Sequence, residues 1–128
     1  MNMLNLIELI KLAGVSLGNF KIHCATGVHQ PPLNAFFEGT FQQWQEYQTR
    51  ANFNCDTVIS LIQLNGAEWL FAGAWKINSV QKRSKGGTDW FQYSTAELKG
   101  LEHLAGRAIV RFEKKFRQSY LKGDRYAD

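Results

Sequence analysis

The chain has 128 residues, a formal charge of +4, and 45% hydrophobic and 13% aromatic side chains. That length supports one folded domain with a real core and not two, and the aromatic content excludes a disordered chain. No apolar run reaches the length of a membrane span, so a single domain over residues 1–128 without membrane contact is expected.

Charge is unevenly spread. Residues 1–75 carry three bases and five acids, whereas residues 76–128 carry twelve bases and six acids. The second half therefore holds more than the whole surplus, a distribution suited to a polyanionic partner.

Along the chain, residues 4–13 predict an amphipathic helix. Leu4, Ile7 and Ile10 recur at helical spacing, Leu6 and Leu9 widen the face, and Gly14 is the stop. Glu8 and Lys11 interrupt this run, so it reads as a helix and not as a signal peptide. "FKIHC" (20–24) alternates as a half-buried strand, and Pro31-Pro32 opens a helical stretch at Leu33. Thr40 with Gln43 spells a capping box for a helix over "FQQWQEYQTRANF". "DTVISLIQL" (56–64) reads as a buried strand, Asn65-Gly66 as a hairpin turn and "WLFAGAWKINSV" (69–80) as the return strand. Trp69, Phe71, Gly73, Trp75 and Ile77 then share a face, with a bulge or close approach at Gly73. "QKRSKGGTD" (81–89) reads as a flexible basic loop and "WFQYS" (90–94) as a short strand. Ser94 with Glu97 spells a second capping box, opening a helix that Gly106 closes, and "RAIVRFE" (107–113) is a final strand. The expected fold is α+β: a curved, mostly antiparallel sheet or small β pseudo-barrel flanked by helices.

Catalytic signals are weak. His23, Cys24, His29 and Cys55 lack the paired ligand spacing of a zinc site, and neighbours on a strand point to opposite faces. Cys24 and Cys55 are expected as free thiols in a reducing cytoplasm. Asp89, Glu113 and Lys115 can be written as the D…E-x-K set of a small metal-dependent nuclease, a pattern common in basic chains. No phosphate-cradling glycine loop occurs. No metal and no cofactor are expected.

The basic and aromatic residues form the stronger constellation. Seven cations fall in the last 22 residues, and "VRFEKKFRQSYLKG" (110–123) interleaves them with rings. Phosphate contacts are expected from Lys82, Arg83, Lys85, Arg107, Arg111, Lys114, Lys115, Arg117 and Lys122, with Tyr120 beside them. Gln45, Gln48 and Arg50 are candidates for reading base edges. Trp75, Trp90 and Tyr93, with Trp69, are the rings available for an aromatic pocket or for stacking on a base. An alternative reading makes the aromatic helix 40–50 the contact of a protein-interaction module.

Residues 37–80 and 97–121 together resemble the region found ahead of GIY-YIG nuclease domains in some bacterial proteins. The matching positions are Tyr47-Gln48, the run Leu70–Ile77 with Gly73 inside it, and Leu104–Val110 with Gly106-Arg107. The strand pattern is also similar to the PUA, SRA and EVE pseudo-barrels and to a plant-type fold used by some restriction enzymes. The resemblance implies recognition of double-stranded DNA, including modified DNA, on behalf of a fused or associated nuclease in a restriction or defence system. Neither G-I-Y nor Y-I-G occurs in the 128 residues, so the chain itself is expected to be a non-catalytic DNA-binding specificity domain.

Overall fold

Asn5 turns a strand into a helix. Its side chain accepts a hydrogen bond from the Glu8 amide at 2.8 Å, and the Glu8 carboxylate accepts one from the Asn5 amide. Strand β1 (Asn2–Asn5) therefore passes directly into helix α1 (Leu6–Ala13), which Gly14 ends in the left-handed conformation. The predicted helix over 4–13 thus loses its first two residues, Leu4 and Asn5, to a strand. These are features of a computed structural model that describes residues 2–14, 20–26, 32–48, 55–113 and 120–122.

The remaining elements follow in order. Strand β2 (Phe20–Ala25) precedes helices α2 (Pro32–Glu38) and α3 (Phe41–Glu46), and a two-residue strand β3 (Tyr47–Gln48) succeeds them. Strands β4 (Thr57–Asn65), β5 (Glu68–Lys85) and β6 (Thr88–Glu97) form a continuous meander. A 3-10 turn at Glu102–Leu104 leads to β7 (Ala108–Arg111), and β8 (Tyr120–Lys122) closes the described chain.

The strands form one sheet in the order β1-β7-β5-β4-β2-β8, with β6 on β5 and β3 on β6. Most pairings are antiparallel, as expected, but β1–β7 and β2–β4 are parallel. The end strands β1 and β8 do not pair with each other, so among the described residues the sheet is open and not a closed barrel. No helix among the described residues is long and apolar enough to cross a membrane.

Each face of the sheet has its own core. Helix α1 lays Leu6, Leu9 and Ile10 against Ile22, Ile59, Leu61, Trp69, Phe71 and Val110. On the other face α2 and α3 bring Leu33, Ala35, Phe36 and Phe41 against Ala25, Ile62, Leu70, Ala72 and Trp75. Helices flanking an α+β sheet are what the apolar pattern predicted.

Two bulges in β5 decide which residues face which core. Ser60 pairs with Gly73 and Leu61 with Phe71, so one residue is skipped, and Gly73 adopts φ 145°. The side-chain period is two, so one extra residue reverses all that follow. Trp69 and Phe71 consequently face α1, whereas Trp75 faces α2 and α3 and does not share their side. A second shift between Ile77 and Ser79 reverses the strand again.

Three local signals fail for tertiary reasons. Thr40 makes no side-chain cap; its hydroxyl donates to the Ala35 carbonyl, and α3 ends at Glu46 instead of running to residue 53. Ser94 and Glu97 pair in the ladder with Ser79 and Trp75, so the predicted helix after Ser94 is the end of β6 and one 3-10 turn. The basic "loop" 81–89 is the paired tip of the β5–β6 hairpin, closed by Gly86-Gly87. Both glycines have positive φ, 59° and 82°, as a type I′ hairpin turn requires.

Candidate nucleic-acid interface

Strand β4 stops pairing with β5 at Lys76, so the stretch beyond it leaves the body of the sheet paired to β6 alone. Residues 79–85 with 88–94 form a two-stranded ribbon, to which β3 adds a short third strand opposite Phe91 and Gln92. From Ser79 to Lys85 seven residues reach about 23 Å at the usual strand rise. Residues 79–89 are all exposed on this ribbon.

Pairing fixes the two faces, because directly opposed residues project to the same side. Gln81 opposes Gln92, Arg83 opposes Trp90, Lys85 opposes Thr88, and Tyr47 joins this side through Gln92. Tyr47 and Trp90 stack with ring centroids 5.9 Å apart and planes inclined by 27°. The Arg83 guanidinium donates to Gln81 Oε1 at 2.6 Å, which holds it in the row of side chains beside the rings. One ribbon face thus carries two stacked aromatics, two amides and two cations. Both cations lack a carboxylate partner among the described residues.

The opposite face is anchored. Tyr93 is buried with Val58, and Phe91 packs partly beside them. Lys82 lies 3.8 Å from Asp89, whose other oxygen accepts from the Ser84 hydroxyl. The ribbon is tied to α3 through Thr95, whose amide and hydroxyl donate to the Glu46 carboxylate at 3.0 and 2.8 Å, while Gln42 donates to the Thr95 hydroxyl. A charge-assisted, partly buried bond of this kind fixes the ribbon's root.

Of the predicted phosphate-binding set, Lys82, Arg83 and Lys85 come together at the ribbon tip. Arg107 and Arg111 are exposed, but Arg107 precedes β7 and Arg111 ends it, and β7 pairs with Glu68–Leu70 at the far end of β5. Arg111 is also engaged there, 3.5 Å from the Glu68 carboxylate. The expected single basic surface is therefore split by the length of β5. Lys114, Lys115 and Arg117 lie outside the described residues; Tyr120 and Lys122 belong to β8, paired with His23 and Lys21, but their side chains are not among those described.

The base-reading set needs larger correction. Gln48 is buried on the side of β3 away from Tyr47, and Trp75 and Tyr93 are core residues of separate clusters. With Trp69 buried against Phe112, these rings do not converge into one aromatic pocket. Trp90 alone of the four presents its ring on the ribbon. Gln45 lies in α3 with a side chain outside those described, and Arg50 is outside the described residues. Reading the sequence for contacts misses Tyr47 and Gln81; the signal that could find them is Gly86-Gly87 between two polar arms, a hairpin turn dipeptide.

The alternative sites are not assembled. Asp89 sits at the ribbon tip and Glu113 follows β7 at the opposite end of β5, beside Gly66 and Trp69, while Lys115 lies outside the described residues. No group of three metal-ligating side chains occurs among the described residues. His23 is buried, stacked on Phe41 at 6.3 Å, and His29 lies outside the described residues. Cys24 and Cys55 are not joined in a disulfide, and burial pushes the Cys55 thiol up, an effect partly opposed by the nearby Lys21 charge. Helix α3 spends Phe41 on the core and Gln42 and Glu46 on Thr95; of the predicted protein-contact helix 40–50, the side chains of residues 43–45 and the whole of residues 49–50 lie outside those described.

A cleft of about 270 Å³ opens between α2, α3 and β5, lined by Phe36, Phe41, Gln42, Trp75 and Glu97. Its rings pack mainly on one another, Phe36 on Phe41 and Phe41 on Trp75 at 6.4 and 6.3 Å. The chain matches no family model, no curated protein and no solved structure.

Proposed function

We propose that the protein binds DNA, with the β5–β6 ribbon as its contact and without catalysis of its own. The single observation that carries this reading is the ribbon tip. Lys82, Arg83 and Lys85 project into solvent against one carboxylate, on an element wide enough to be held in a groove. A two-stranded ribbon fits the major groove of duplex DNA, and cations at its tip release phosphate counterions. Gln81 and Gln92 are side chains able to address base edges once the phosphates fix the register.

The resemblance to regions ahead of GIY-YIG domains supplies the setting. In it the chain is the recognition unit of a restriction-type nuclease acting in the cytoplasm on plain or modified duplex DNA, on a frame akin to an opened pseudo-barrel. The test is a titration with duplex DNA, unmodified and cytosine-modified, at two salt concentrations. Binding that weakens with salt, and that substitution of Arg83 and Lys85 by Gln removes, supports the reading. Undetectable binding at low salt sinks it.

A further inference from the structure

The ribbon carries aromatic surface where phosphate binding alone has no use for it. Tyr47 is 48% exposed and Trp90 is partly exposed, stacked beside each other on the solvent side of the sheet. Neither belongs to one of the core clusters. An exposed Tyr stacked on a Trp makes an aromatic platform open to solvent, and the residues around it suit an anionic, hydrogen-bonding ligand. Arg83 is the ladder partner of Trp90, and Gln92 is the ladder partner of Tyr47. Lys85 lies two residues beyond Arg83 on the same face, about 7 Å along the strand.

We infer that this platform stacks an unpaired nucleobase, while Arg83 and Lys85 take the phosphates on either side of it. Inside a duplex both faces of each base are covered by its neighbours, so a ring on a flat sheet face has nothing to stack on. A base in a single strand, or one extruded from a duplex, offers a free π-face. A base of this kind is flanked by backbone phosphates, which matches two cations along one edge of an aromatic pair. The inference rests on the DNA-binding reading and specifies which form of DNA the ribbon prefers.

Four labelled DNA probes test it: a fully paired duplex, the same duplex with one unpaired thymine, the same duplex with an abasic residue in its place, and an oligothymidine strand. The unpaired-thymine duplex is expected to bind about 5- to 150-fold more tightly than the paired one, the range that one stacked base supplies. The abasic probe should return to the paired value, a comparison that leaves the protein unaltered. Trp90→Ala should abolish the preference for the unpaired-thymine duplex over the paired and abasic ones, and Trp90→Phe should retain most of it. Oligothymidine binding as tight as the unpaired-thymine duplex identifies single strands as the source of the base; weaker binding identifies a base extruded from a duplex. Equal binding of all three duplexes, unchanged by Trp90→Ala, overturns the inference and leaves the DNA-binding reading standing. Failure to bind any probe overturns both.

Discussion

Replacing Asp89 by asparagine should strengthen DNA binding and steepen its dependence on salt. Asp89 lies 3.8 Å from Lys82 with both side chains largely exposed, so the pair contributes at most about 1 kcal/mol to folding. Its effect on a polyanion is larger. With the carboxylate in place Lys82 meets a phosphate already neutralised, and Arg83 and Lys85 are left as the two uncompensated cations of the ribbon. Each phosphate neutralised adds about 0.9 to the slope of log affinity against log salt, so two give about −1.8 and three about −2.7. Raising salt from about 50 to about 200 mM then weakens the ribbon's share about 12-fold in the wild type and about 40-fold in the Asp89→Asn variant, at the same per-phosphate slope. Asparagine keeps an acceptor oxygen for the Ser84 hydroxyl, which preserves the hairpin. Cations in residues 114–128 raise both slopes alike and leave the increment intact. Anisotropy of a labelled duplex across a salt series reads it directly. An unchanged or shallower slope, or weaker binding at low salt, refutes the assignment of phosphate contact to the ribbon tip.

Other consequences are independent of that one. At Gly73 a Cβ would stand 2.6 Å from the Trp75 ring at φ 145°, so Gly73→Ala should cost about 2–4 kcal/mol, read from the denaturation midpoint. Removing the Glu46 carboxylate with Glu46→Ala breaks two bonds to Thr95 and should cost about 1–3 kcal/mol in the same assay, more than an exposed carboxylate would. Arg111→Ala should change stability by less than about 1 kcal/mol, because its ion pair with Glu68 is exposed. It should also leave DNA affinity unaltered, since it stands at the far end of β5. The raised Cys55 thiol contributes stability that is fully present below the unfolded thiol value of about 8.5 and is lost as pH rises through the higher folded value. Wild type minus Cys55→Ala should therefore show stability falling with pH only above that point; a difference that is flat with pH contradicts the burial.

The sequence displayed those parts of the fold whose partners lie close by. Asn65-Gly66 between apolar runs placed the β4–β5 hairpin, Phe20, Ile22 and Cys24 placed β2, and Gly73 marked a bulge. What a bulge does was less visible. It moved Trp75 to the opposite face from Trp69, and no count along the strand announces the extra residue before pairing defines it. Sheet pairing overrides the local capping pattern at Ser94 and Glu97, whereas Asn5 and Glu8 form a cap inside an apolar period that conceals it. The parallel contacts β1–β7 and β2–β4 join distant segments and leave no local mark. For the interface, Lys82, Arg83, Lys85 and Trp90 were legible by residue type. Tyr47 joins them only through the β3–β6 ladder.

The most direct test of the account is to follow backbone amide resonances while duplex DNA is added. Perturbations should concentrate in Gln81–Lys85, in Asp89–Gln92 and at Tyr47, with the β7 segment and the α2–α3 cleft unmoved. Shifts centred on Arg107–Arg111 or on Phe36, Phe41 and Trp75, with a silent ribbon, would contradict it.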